Sequence, residues 1–161
     1  MESEKVTVQR SEVAGGSQRT RRLVLFYTAT AFVSLIGLAD AIYLTVEHLS
    51  GRSVRCTVIA GCSEVLSSSY ATVGGVPLAA VGAGAYFVVF SLAVLAAFGY
   101  RFAGALLAPI VSLMFLTTLW LLYLQGFVIG HFCQFCLLSA AVTITLTMIV
   151  GILRWSNARS A

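Results

Sequence analysis

The chain has 161 residues, of which 59% are hydrophobic and 10% charged, and its mean hydropathy is +0.95. Soluble domains average about 45–50% apolar and about 25% charged residues, so too few charges remain here to cover a water-exposed surface. That excludes an ordinary soluble enzyme, a disordered chain and a nucleic-acid binder, and the net charge of +4 reads instead as basic residues flanking membrane spans.

Residues 1–22 are polar, include Gly15, Gly16 and Ser17, and read as a disordered tail. Four apolar stretches follow, over 23–43, 77–98, 102–124 and 132–153. Each reaches roughly 31–35 Å at about 1.5 Å per helical residue, enough for a hydrocarbon core of about 30 Å. The expected fold is therefore all-α and integral to the membrane: a four-helix transmembrane bundle over 23–153. An outer loop, 45–76, carries a short helix, and 154–161 forms a second tail.

Eight of the ten basic residues fall on one side: Lys5, Arg10, Arg19, Arg21, Arg22, Arg101, Arg154 and Arg159. Only Arg52 and Arg55 lie opposite. The positive-inside rule then puts both termini in the cytoplasm, in a cell or inner membrane, with loop 45–76 on the extracytoplasmic face. Arg21-Arg22 and Ala39-Asp40-Ala41 also suit a signal peptide, but the apolar run continues through Leu44 and is longer than such a segment needs.

The four cysteines form two pairs, Cys56 with Cys62 in the outer loop and Cys133 with Cys136 at the outer end of the fourth span. All four fall on the face where disulfides persist. One reading is a pair of structural staples in a non-catalytic membrane protein. The spacing His131-Phe132-Cys133-Gln134-Phe135-Cys136 favours redox work, because free amides and the dipole at a helix N-terminus stabilise a thiolate. A staple across two residues would add little to a helix that forms anyway. Haem attachment requires a histidine where Leu137 stands. The gap from Cys56 to Cys62 is too long for usual zinc spacing, so no metal is expected.

Arg52 and Arg55 precede Cys56, where a cation lowers a thiol pKa, although solvated loop charge explains them as well. The two pairs together suggest a relay by thiolate attack through mixed disulfides. The apolar bundle beside the CxxC points to a membrane quinone as electron acceptor.

The loop pair, the run Cys62-Ser63-Glu64-Val65-Leu66-Ser67-Ser68-Ser69 and the CxxC opening the last span resemble the vitamin K epoxide reductase family, particularly its bacterial members. Ala41-Ile42-Tyr43-Leu44-Thr45 and Gly75-Val76-Pro77-Leu78 are similar to those members too. The resemblance implies a thiol:quinone oxidoreductase that reoxidises a separate, extracytoplasmic thioredoxin-fold (DsbA-like) partner and reduces ubiquinone or menaquinone. It implies that Cys56 meets the partner, that Cys62 exchanges with Cys133, that Cys136 faces the quinone and that Ser68 lies near the quinone ring. Met114, Thr118 and Gln125 share a face of the third span and are candidates for the quinone pocket, with helix packing as the alternative. Asp40, an acid inside the first span, is a candidate proton relay. Eukaryotic members carry a tyrosine where Ala140 stands and an asparagine early in the second span, near Leu78. Reduction of vitamin K quinone or its epoxide by the same relay is thus the alternative activity.

Overall fold

The computed structural model describes residues 2–50, 65 and 71–158. Helix α1 runs from Glu2 to Leu49, α2 covers Leu78–Ala97 and α3 covers Arg101–Tyr123. The last turn of α3 passes directly into a π-helical segment, Leu124–Ile129, and α4 spans Gln134–Ala158. Among the described residues, four helical segments are long and apolar enough to cross a bilayer: Thr20–Leu49, Leu78–Ala97, Arg101–Ile129 and Gln134–Ser156. The protein is a multi-pass, all-α membrane bundle.

Three differences from the sequence expectation have physical causes. The backbone is helical from Glu2, where a disordered tail is expected over 1–22. A preformed span spares such an extension the cost of nucleation, so the helix propagates through Gly15 and Gly16. The third span does not end at Gln125 and Gly126 but continues, in π form, to Ile129, and Gly130 at φ 70° reverses the chain. Phe132 and Cys133 precede α4 rather than lying within it.

Each helix packs against its neighbours in chain order, and α4 closes the ring against α1. Small residues permit the close approach: Ala31 and Ala41 on α1, Ala93 and Ala96 on α2, Ala103 and Ala108 on α3, and Ala140 on α4 are all buried. The closest meeting is between Gly37 and Tyr86, where a Cβ on the glycine would overlap the tyrosine ring. Tyr86 is 2% exposed. Its hydroxyl donates to the Ser139 carbonyl at 3.0 Å and shares hydrogen bonds with Ser139 Oγ at 2.8 Å and Thr143 Oγ1 at 2.9 Å. A buried phenol thereby locks α2 to α4 with its polar end satisfied. Large apolar side chains such as Leu25, Phe32, Phe87, Leu113 and Met148 point outward, as a lipid-facing surface requires.

Between α1 and α2 the chain forms a two-residue hairpin, β1 (Thr72–Val73) pairing antiparallel with β2 (Val76–Pro77). Its turn residues, Gly74 and Gly75, have φ of 59° and 83°, the doubly left-handed geometry of a tight hairpin turn. The short helix expected in loop 45–76 falls largely outside the described residues, as do Cys56, Cys62 and Ser68. Val65, which is described, is helical and buried.

Candidate redox site

The site is built around the start of α4. Cys133 sits immediately before the helix, and its carbonyl accepts the Leu137 N–H at 3.0 Å. Cys136 falls in the first turn. The Cys133 N–H, one of the amides that a helix start leaves without an intrahelical acceptor, donates to Gln125 Oε1 at 3.2 Å. Both residues are buried, Cys133 completely and Gln125 to 4% exposure. The π-helical segment brings Gln125 to this position, and π-turns commonly occur where a functional side chain must be re-aimed. The same carboxamide also interacts with the Cys136 side chain. On the other side, the Tyr43 and Phe135 rings meet with centroids 5.2 Å apart and tie α1 to the same turn.

Both Cys133 and Cys136 are free thiols. The Cys136 side chain hydrogen-bonds the Cys133 sulfur, and this lowers the Cys133 pKa from 9.0 to about 7; backbone N–H groups of Cys136 and Phe135 add to the effect, while burial opposes it. The Cys133 thiolate is thus stabilised chiefly by the Cys136 thiol, with the free amides of the helix start, on which the sequence expectation rests, as the smaller contribution. Val65 of the outer loop packs directly on Cys133, together with Ile129, Phe135 and Cys136.

Cys136 lines a cavity of about 160 Å³. Helix α1 contributes Asp40, Ala41, Leu44 and His48 to its wall; α2 contributes Leu78, Ala79 and Gly82. Thr118, Leu121 and Leu122 of α3 line it, with Leu124, Gln125 and Ile129 of the π-turn and Ser139 and Ala140 of α4, while Val65 joins from the loop. Sites that enclose a whole drug-sized ligand run to about 300–1,000 Å³, so this one suits a single ring rather than a ring with its isoprenoid tail. Asp40 is 7% exposed, and its Oδ2 has no hydrogen-bond partner among the described residues. An apolar wall with one thiol, one carboxamide and one unpartnered carboxyl fits a quinone ring, whose two carbonyls accept hydrogen bonds.

Of the residues singled out from sequence, Asp40, Thr118, Gln125 and Cys136 share this cavity, and Cys133 lies behind it. Met114 does not line it. It packs against the central core cluster, because four residues separate it from Thr118 and place it a full turn further from the CxxC end. Cys56, Cys62 and Ser68 lie outside the described residues, and His131 is exposed beside the motif. Sequence reasoning missed the hydrogen bond from Cys133 to Gln125 and the contributions of Ser139 and Val65. A glutamine at the end of an apolar span, eight residues before a CxxC, was the available signal for the first. No group of three or more histidines, cysteines or acids suited to a metal gathers among the described residues.

The model of the vitamin K epoxide reductase family matches residues 28–150, from within the first span into the last, and so takes in the loop cysteines, the CxxC and the cavity. With the four spans and a CxxC whose second thiol lines the cavity, that match is decisive: the chain belongs to the vitamin K epoxide reductase family and is, like its members, a membrane oxidoreductase of thiols and quinones.

Proposed function

We propose that the protein oxidises the dithiol of a separate, extracytoplasmic thioredoxin-fold partner of the DsbA type and delivers the electrons to ubiquinone or menaquinone, supporting disulfide formation. The observation that carries this reading is that only the second of the two thiols lines the cavity. Cys133 is covered by Val65, three residues after Cys62 and so within about 11 Å of it along the chain. Cys136 opens on the cavity.

In the relay, a partner thiolate attacks the Cys56–Cys62 disulfide and forms a mixed disulfide with Cys56. The partner's second thiol resolves it, leaving the partner oxidised and the loop pair reduced. The Cys62 thiolate then attacks Cys133 of the Cys133–Cys136 disulfide, and Cys136 leaves as a thiolate. Cys56 attacks Cys62, restoring the loop disulfide and releasing Cys133 as a thiolate. Two electrons and two protons have then moved from partner to CxxC. A bound quinone supplies the acceptor for both electrons as the Cys133–Cys136 disulfide re-forms. Thr118 and Gln125 orient the ring, Ser68 contributes from the loop, and Asp40 holds a proton at the unpartnered Oδ2, within the cavity that the acceptor enters.

The positions that distinguish epoxide chemistry both face this cavity, as Leu78 and Ala140. Neither offers a hydrogen-bond donor, so an opening epoxide ring would find no acid at these two positions. The eight-to-two split of basic residues supports a topology with both termini in the cytoplasm and the cysteines outside.

The test is anaerobic mixing of the purified protein with a quinone and a reduced thioredoxin-fold oxidase, following quinol by absorbance. Quinol should form in proportion to partner oxidised, and Cys56→Ala should abolish it while sparing quinone reduction by dithiothreitol. Equal loss of both activities would contradict a separate loop relay. Turnover of vitamin K epoxide as fast as quinone would favour the alternative activity.

A further inference from the structure

At the end of the bundle opposite the thiols, a second cavity of about 460 Å³ lies where all four helices approach one another. Its floor is small and apolar, with Ala97 and Ala105 among the wall residues. Arg101, the first residue of α3, and Arg154, near the end of α4, both line it and both are exposed. Tyr27 of α1 lines it too, with its hydroxyl 2.9 Å from where a Cβ on Gly104 would lie. No hydrogen bond or ion pair with another residue engages either guanidinium or that hydroxyl among the described residues. The acids with described side chains, Asp40 and Glu47, lie at the far end of α1.

We propose that this cavity is a binding site for one anionic phospholipid, its phosphate held between Arg101 and Arg154 and its acyl chain laid on the apolar wall. Charge complementarity selects the headgroup. Guanidinium forks match phosphate oxygens, and Tyr27 adds a neutral donor. A cavity walled by four spans and open at the interface receives its ligand from the bilayer rather than from water, and basic pockets between spans are suited to anionic lipid. The site is independent of the redox relay. Its occupant would brace the ends of α1, α3 and α4 where small residues leave them apart.

Trp155, 65% exposed, adjoins Arg154, and with Trp120 replaced in a W120F protein it is the sole tryptophan. This protein is reconstituted in phosphatidylcholine vesicles holding a small fraction of chain-brominated phosphatidylglycerol, or the same fraction of brominated phosphatidylcholine. Quenching should show phosphatidylglycerol enriched at Trp155, by about fivefold for each arginine. R101Q with R154Q should remove the enrichment, and R101K with R154K should retain most of it. Ala105→Phe, which fills the space and leaves both charges, should lower it and keeps the test open if the double glutamine variant fails to fold. Equal quenching by the two lipids would overturn the proposal. So would enrichment that survives R101Q/R154Q or Ala105→Phe, since diffuse attraction to Arg21 and Arg22 would then explain it. Loss of enrichment in the presence of inorganic phosphate would show a soluble-anion site instead, and would overturn it too.

Discussion

Replacing Gln125 tests whether the helix start that carries the thiols is held by one hydrogen bond. Gln125→Ala leaves the Cys133 N–H, at a residue of 0% exposure, without its acceptor at 3.2 Å. A buried donor stranded in this way costs about 1–3 kcal/mol. For a chain of this length each kcal/mol shifts the unfolding midpoint by about 2–4 °C, so the drop should be roughly 2–12 °C. Gln125→Met restores most of the lost volume but no acceptor, and should not recover the midpoint. Thr118→Val, on the same cavity wall, should change it little. The assay is thermal unfolding of the reduced protein in detergent micelles, read by tryptophan fluorescence. Recovery of the midpoint by methionine would show that Gln125 acts by packing; no drop in either variant would show that the bond contributes nothing.

Tyr86→Phe removes a hydroxyl that meets three partners on α4, and should lower stability by about 1–3 kcal/mol in the same assay. Gly37→Ala forces a Cβ into the Tyr86 ring and should cost about 1–3 kcal/mol; the two changes share one ring, so their effects should not add. Cys136→Ala removes the largest cause of the lowered Cys133 pKa. The pH profile of Cys133 alkylation by iodoacetamide should then move its inflection from about 7 up toward 9.0. A lowered pKa means more thiolate at a given pH, so near pH 7.5 the rate should fall by as much as about 25-fold, the ratio of the two thiolate fractions; an unmoved inflection would refute the assignment. Asp40→Asn keeps the size of a side chain whose Oδ2 is unpartnered but removes its proton. Dithiothreitol-driven quinone reduction should slow by about 10²–10⁴ with the unfolding midpoint maintained, and a rate near that of the parent would remove Asp40 from the proton path.

The spans were legible because bilayer thickness fixes the length of an apolar run, and Leu23 to Leu153 contains four of the right length, three uncharged and one with the single acid Asp40. The CxxC at a helix start was legible for a similar reason: two cysteines beside a polar break have few other placements. Helix ends were less so. Gln125-Gly126 reads as a stop, yet continuation in π form is decided by what Gln125 can bond, and its partner lies eight residues on. The Thr72–Pro77 hairpin was overlooked although Gly74-Gly75 between β-branched residues is a recognised turn signal. Met114 shows the limit of periodicity: helical spacing puts it on a face with Thr118, but depth along the bundle decides which of them meets the cavity. Tyr86, which fastens α2 to α4, was invisible as anything but one apolar residue among many.

The central claim is that electrons cross from the loop pair to the CxxC through a Cys62–Cys133 bond. With Cys56→Ala and Cys136→Ala together, neither thiol that can resolve a Cys62–Cys133 disulfide remains, and the bond formed on oxidation with diamide should persist. Peptide mass spectrometry of the non-reduced, membrane-reconstituted protein should recover Cys62 linked to Cys133, and the linkage should disappear in the Cys62→Ala, Cys136→Ala double variant. In the Cys56→Ala, Cys133→Ala protein, no Cys62–Cys136 linkage should form, because Cys136 lies within the first turn of α4, beyond Cys133. Recovery of Cys62 linked to Cys136, with none linked to Cys133, would reverse the roles of the two thiols and contradict the relay.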